Sequence, residues 1–252
     1  MTSAMEHRSM IGSGLSPRIW GNLPVKNWSS RIGGLMMLED GMSYAADPYT
    51  IVGTVAAVST EAGVPAIKVT SSTTNNGVTG IQHAGKLHVG HDNRWAFECQ
   101  FKLDSVADTI AGWAFGLAGA VLANNQAILD DDGTIEGDFI GFHRKEGDGD
   151  AIEVQVVEGN SVTTLGSAQV IAADTLYRIG MVYDSNRLRF YMSSAQSSPV
   201  SVDDVVEIAS VDPATQTNLD ETADMFPTIL SNAASTTASN ATVQLFAFGR
   251  EF

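Results

Sequence analysis

One cysteine, Cys99, occurs in 252 residues, so no intrachain disulfide can form. Secreted sandwich domains often carry disulfides, and their lack here fits folding in a reducing cytoplasm. Basic residues are also scarce: 14 Lys and Arg stand against 29 Asp and Glu, a formal net charge of −15. Binding to nucleic acid through its phosphates needs a clustered basic surface and is excluded on this balance. An anionic membrane surface is disfavoured for the same reason. No apolar run reaches the ~18 residues of a transmembrane helix. Residues 1–15 hold no apolar stretch of the length an export signal needs, so synthesis and folding are expected in the cytoplasm. There is no Gly-x-Ser-x-Gly nucleophile elbow and no pair of carboxylates side by side on a strand, which leaves no catalytic constellation to build on.

What is present is alternation. From Arg94 to Leu103, Trp95, Phe97, Cys99, Phe101 and Leu103 share one face, and Arg94, Ala96, Glu98, Gln100 and Lys102 share the other. Period 2 is the signature of a strand with one apolar and one wet face. Gly112–Ala118 repeats it with Trp113, Phe115 and Leu117. Further strands are expected at Ile51–Val58, Ala66–Thr70, Gly80–His83, Asp138–Arg144, Ile152–Glu158, Ser161–Leu165, Thr175–Asp184, Arg187–Ser193 and Thr242–Gly249. Asn76-Gly77 and Asp132-Gly133 supply turn chemistry, and Tyr183–Arg187 reads as a hairpin turn between two alternating runs. Short helices are conceivable at Ala118–Leu129 and Asp212–Met225, and residues 231–242 read as a polar surface loop. The pattern predicts an all-β, antiparallel sandwich over 46–252, with Trp95, Phe97, Phe101, Trp113, Phe115, Leu188 and Phe190 in one core.

Residues 1–45 are different. They carry four basic and three acidic residues, whereas the remainder carries ten basic and 26 acidic ones, a balance of −16. Pro17 and Pro24 interrupt helix, and the segment is rich in Gly, Ser and Met. It reads as an extended N-terminal arm. Trp20 and Trp28, with Arg18 and Arg31 nearby, are the candidate docking residues, because aromatic and Arg side chains dominate interface energetics. The competing reading is that both tryptophans cap the chain's own sandwich.

Other motifs carry less. Gly80–Leu87 approaches a phosphate-binding loop but has Leu87 where a Ser or Thr should stand, and no helix follows. His83, His88 and His91 are close in sequence, yet on a strand positions 88 and 91 face opposite sides, so no metal site is assigned. The acidic runs Asp130–Asp138 and Glu146–Asp150 lack calcium-loop spacing and read as solvated turns. No cofactor, metal ligand or catalytic residue is assigned. Glu98, the one acid among the strand aromatics, has Ala96 and Gln100 as same-face neighbours.

The stretch Ser71–Ser193 resembles the concanavalin A-like, or LamG-like, jelly roll of tailed-bacteriophage structural proteins. The resemblance is carried by Asn75-Asn76-Gly77-Val78-Thr79-Gly80-Ile81-Gln82, by Arg94–Leu103, and by Ala114-Phe115-Gly116-Leu117-Ala118. It continues through Asp138-Phe139-Ile140-Gly141-Phe142, Leu176–Asp184 and Arg187-Leu188-Arg189-Phe190-Tyr191-Met192. It implies a virion protein displayed on the head or tail surface, sometimes glycan-binding, and it carries over no catalytic residues. The acidic, soluble body and the candidate docking arm narrow the expectation to a non-enzymatic capsid decoration protein on the phage head, made in the host cytoplasm. The expected partners are the major capsid protein, further copies of the chain in a homotrimer, since symmetric association is the default for repeated surface proteins, and a surface glycan. Two alternatives stand beside it: a carbohydrate-binding module of a phage tail or fibre, and a glycoside hydrolase of the same fold.

Overall fold

The structure is a computed structural model. It describes residues 15–20, 49–59, 65–85, 87–88, 94–120, 122, 129, 133–184, 186–195, 204–213 and 224–250. Among these, fifteen strands form two antiparallel sheets, and one helical turn, α1 (Pro17–Trp20), is present.

The first sheet runs β1 (Tyr49–Val52), β4 (Val78–His83), β14 (Asp224–Ala233), β7 (Ala111–Ala118), β8 (Phe139–Arg144), β9 (Ala151–Glu158), β10 (Ser161–Val170). The two-residue β5 (Leu87–His88) adds to β14 beside the end of β4. The second sheet runs β13 (Val205–Val211), β12 (Leu188–Ser193), β11 (Leu176–Tyr183), β6 (Trp95–Leu103), β15 (Asn240–Arg250), β3 (Pro65–Thr70), β2 (Thr54–Ser59). Strands consecutive in sequence often lie in opposite sheets, and both sheets are antiparallel throughout, which is a jelly-roll arrangement.

All seven expected core residues lie in one buried cluster between the sheets. Aromatic pairs span the gap. Phe101 of β6 stacks on Phe115 of β7 with ring centroids 4.2 Å apart, and Phe142 of β8 meets Phe190 of β12 edge-on at 6.0 Å. Such pairs add about 0.5–1.5 kcal/mol beyond the area they bury.

Two sequence expectations are corrected. The single strand expected at Ile51–Val58 is two strands, one per sheet. Gly53 separates them at φ +73°, and a Cβ there would lie 2.4 Å from Thr79 Oγ1, so only glycine serves. Residues 231–242 are not one surface loop. Ser231 and Asn232 are buried inside β14, and β15 begins at Asn240. Most of Asp212–Met225 lies outside the described residues, as does most of Ala118–Leu129. Met225 itself is in β14, and Leu129 forms an isolated bridge with Ile135.

Pro227 sits in β14 near the sheet centre, where a missing N–H is normally costly. On one edge β14 pairs with β5 at Asp224 and Met225 and with β4 only from Thr228 onward. Pro227 falls in the gap between these two ladders, so no bond to β4 or β5 is forfeited there.

Candidate functional site

The outer face of the second sheet is the place where polar chemistry collects. Its β6 residues Ala96, Glu98 and Gln100 were expected to be wet. Instead Glu98 is fully buried, because residues 15–20 lie across it. Leu15, Ile19 and Trp20 form a second apolar cluster with Ala96, Val182, Tyr191, Val205, Leu245 and Ala247 on this outer face. A Cβ on Gly180 would lie 2.2 Å from Ile19 Cδ1, so the missing side chain makes the notch into which Ile19 fits.

Beneath the segment is a buried polar cluster. Arg178 Nη1 donates to Glu98 Oε1 at 2.5 Å, and Arg178 Nη2 donates to Gln100 Oε1 at 2.7 Å. The Trp20 indole Nε1–H donates to Glu98 Oε2 at 2.5 Å, and the Ser16 amide donates to both carboxylate oxygens at 3.2 and 3.1 Å. Gln100 in turn donates to Gln244 Oε1 at 2.7 Å. Burial pushes the Glu98 carboxyl up, while the Arg178 charge and the Ser16 and Trp20 donors pull it back. The site is a structural lock. Glu98 lies beneath Trp20 and Ser16, out of reach of any substrate.

Beside this lock an open cleft of about 390 Å³ is lined by Arg94, Asp184, Asn186, Arg189 and Tyr191. Two elements position it. The β11–β12 hairpin brings Asp184 and Asn186 to its tip, and alternation on β12 turns Arg189 and Tyr191 outward while Leu188, Phe190 and Met192 enter the core. Arg94 comes from the entry to β6, whose Trp95 is aligned with Tyr183.

The carboxylate of Asp184 and the guanidinium of Arg189 are held in place within the cleft. Asp184 Oδ1 accepts the amides of Asn186 at 3.3 Å and Arg187 at 2.9 Å, the geometry of an Asx turn. Its Oδ2 accepts a hydrogen bond from Arg189 Nη1. Partial burial alone would raise the Asp184 carboxyl, but Arg189 and the two amides outweigh it and hold it below the ordinary range. Arg189 Nε lies 3.8 Å from Glu207. Burial, reinforced by the Glu207 charge, pushes the Tyr191 phenol up, so it is a neutral hydroxyl at physiological pH. Tyr191 also packs on the docked segment, which makes residues 15–20 part of the cleft's support.

Of the four candidate docking residues, Trp20 is fully buried on the chain's own sheet, where it offers no surface to a partner. Arg18 is exposed on the same helical turn. Trp28 and Arg31 lie outside the described residues. The P-loop-like run is strand β4 for its first half, with Gly80 packed against the Ile229 carbonyl. His83 is buried between Tyr49 and Phe248, His88 is in β5, and His91 is outside the described residues. Among the described residues no three His, Cys, Asp or Glu side chains cluster as metal ligands. Asp138 accepts the amide of Gly159, and Asn160 accepts that of Gly137, so this part of the acidic loop laces two turns together.

Local alternation does not single out the cleft residues. Arg94 was assigned to a wet face and Asp184–Arg187 to a turn, both correct locally. What joins them is the β6–β11–β12 register, a long-range property. The available signal was an outward-facing Arg189 and Tyr191 two residues apart on a strand whose other face is apolar.

No family model matches the chain, and no curated protein matches it. Solved structures do. A protein of unknown function from Shewanella oneidensis MR-1 is 14% identical, with TM-score 0.60, over 100% of this chain and 95% of that one. The carbohydrate recognition domain of Emp47p is 11% identical, with TM-score 0.57, over 90% of this chain and 100% of that domain. Lectin II from Ulex europaeus is 13% identical, with TM-score 0.55, over 82% and 94% respectively. At these identities the likeness shows the fold: the chain has the concanavalin A-like jelly-roll sandwich that these lectin domains share.

Proposed function

We propose that this chain is a non-enzymatic carbohydrate-binding module and that the Arg94–Asp184–Asn186–Arg189–Tyr191 cleft is its saccharide site. The observation that carries the reading is the cleft's preorganised polar array. A sugar hydroxyl both donates and accepts, and the cleft offers a carboxylate, an amide, two guanidiniums and a phenol within one concavity. The Tyr191 ring adds an apolar surface for a sugar's C–H face. Asp184 and Arg189 hold each other before any ligand arrives, which lowers the ordering cost of binding. The lectin-like fold supports the same reading.

The virion role implied by the sequence resemblance is placed second. Its anchor was an outward-facing arm, and Trp20 faces inward. A phage-surface module that binds glycan through this cleft would reconcile the two, with the capsid partner, the trimer and the head location as further proposals. Glycoside hydrolysis is placed last: Glu98, the acid flanked by strand aromatics, is sealed under Trp20.

A glycan array followed by calorimetry tests the reading. Wild-type protein should bind at least one glycan, and Asn186→Ala, an exposed change, should weaken that binding with an unchanged melting point. Absence of any glycan binding, or full binding by Asn186→Ala and Asp184→Ala alike, overturns it.

A further inference from the structure

The charge distribution narrows the ligand class. The chain has nine arginines, and four described ones, Arg18, Arg94, Arg187 and Arg189, gather at the hairpin end of the second sheet's outer face. The described carboxylates at this end are Asp184, Glu207 and Asp212, so cations outnumber anions here, whereas the whole chain carries 29 acidic against 14 basic residues. Asp184 is already committed to Arg189, and Arg187 donates to Ser210 Oγ at 3.1 Å.

Arg18 reaches the site by a different route. Its side chain stands exposed on α1, while Ile19 and Trp20 of the same turn are fully buried on the sheet. Ile19 occupies the Gly180 notch, and Gly180 is aligned with Tyr191 across the β11–β12 ladder. Docking of the turn therefore sets Arg18 beside Tyr191, near enough for its charge to act on the phenol.

From this geometry we infer that the cleft selects anionic saccharides, carrying a carboxylate or a sulfate group, and that Arg18 on the docked segment is a specificity residue alongside Arg94. The inference rests on the carbohydrate-binding reading. A guanidinium has five N–H donors, so Arg94 and Arg18 can serve a planar anion while keeping intramolecular partners. A positive concavity in an otherwise acidic protein also focuses anions toward one site, an effect that salt weakens. Neutral glycans would forgo this contribution and still meet Asp184, Asn186 and Tyr191.

The test is calorimetric titration of the full chain with three probes, trigalacturonate, a sulfated galactose trisaccharide and neutral galactotriose, with inorganic sulfate as a fourth arm. An anionic trisaccharide should bind at least tenfold more tightly than the neutral one at low salt, with the margin shrinking as salt rises. The two anionic probes distinguish carboxylate from sulfate as the recognised group. Arg18→Gln/Arg94→Gln should reduce anionic binding by about tenfold or more, the size expected for charged hydrogen bonds, and should weaken galactotriose binding less, so that the preference for the anionic probes falls. Lys68→Gln makes the same kind of charge change on β3, four strands from β12, and should alter neither. Equal binding of neutral and anionic trisaccharides overturns the inference and leaves the carbohydrate reading standing. So does unchanged anionic binding in the double variant. Inorganic sulfate binding as tightly as the saccharides makes the site a simple anion site and overturns the inference. If no trisaccharide binds and the glycan array is also blank, both readings fall.

Discussion

Arg178→Met perturbs the docked segment at its most sensitive point. Arg178 is paired with Glu98 at 2.5 Å, and both side chains are buried beneath Trp20 and Ser16. Removing one partner of a buried pair leaves an uncompensated charge, which costs about 3–5 kcal/mol. At about 2–4 °C per kcal/mol for a chain of this size, the melting point should fall by roughly 6–20 °C. The companion variant Glu98→Leu/Arg178→Met removes both charges. It should recover most of the loss, since an apolar pair of similar volume often matches a buried ion pair. The pH dependence supplies a second readout. Burial already holds the Glu98 carboxyl above its ordinary value, and loss of the guanidinium raises it further. An acid whose pKa is higher folded than unfolded takes up its proton first in the folded state, so acidification stabilises it. The gap between Arg178→Met and wild type should therefore narrow as pH falls from about 8 toward 5. Thermal and urea melts followed by circular dichroism measure all three variants. A loss under ~1 kcal/mol, constant with pH, would mean that water reaches Glu98 and that residues 15–20 do not seal the face.

Other expectations follow from single contacts. Gly180→Ala places a methyl 2.2 Å from Ile19 Cδ1, so it should cost about 1–3 kcal/mol and make limited proteolysis near residues 15–20 much faster than in wild type. Phe101→Ala removes a ring stacked at 4.2 Å on Phe115 in the centre of the sandwich and should cost about 3–5 kcal/mol in urea melts. His83 and His143 are both held at about 4 by burial, below the ordinary 6.5. Each favours the neutral folded form, so the stability they confer is present above pH 6.5 and is lost as pH falls toward 4. The slope is about 1.4 kcal/mol per pH unit per histidine, and His143→Gln should flatten that part of the curve. Cys99 is fully buried and its thiol is pushed well up by burial, so a thiol reagent should label it only on global unfolding.

Strands whose two faces differ were legible, because period 2 is written locally. Residues 95–103, 111–118 and 176–193 showed both their strands and their inward aromatics. β14 was not, since Thr228–Ala233 are buried throughout and show no contrast between faces, and a proline such as Pro227 is locally a signal against a central strand. Its tolerance depends on where β5 stops and β4 begins, which no local pattern encodes. β13 escaped for the opposite reason: on the sheet edge it is mostly half-buried or exposed and shows little contrast between faces. The larger miss was Glu98. A polar residue alternating with aromatics is rightly expected on the outer face, but whether that face is wet depends on a segment about 80 positions earlier. The same long-range docking turned Trp20 from a surface anchor into a core residue. The cleft shares this cause, since Arg94 and Asp184 meet only through strand register.

Side-chain NMR of arginine and asparagine during saccharide titration tests the central claim most directly. The account predicts that a bound glycan shifts the Arg94 and Arg189 Nε–H and the Asn186 side-chain amide signals, saturating together at one affinity. Saturable glycan binding that leaves these signals unmoved and shifts others would contradict the assignment of this cleft as the carbohydrate site.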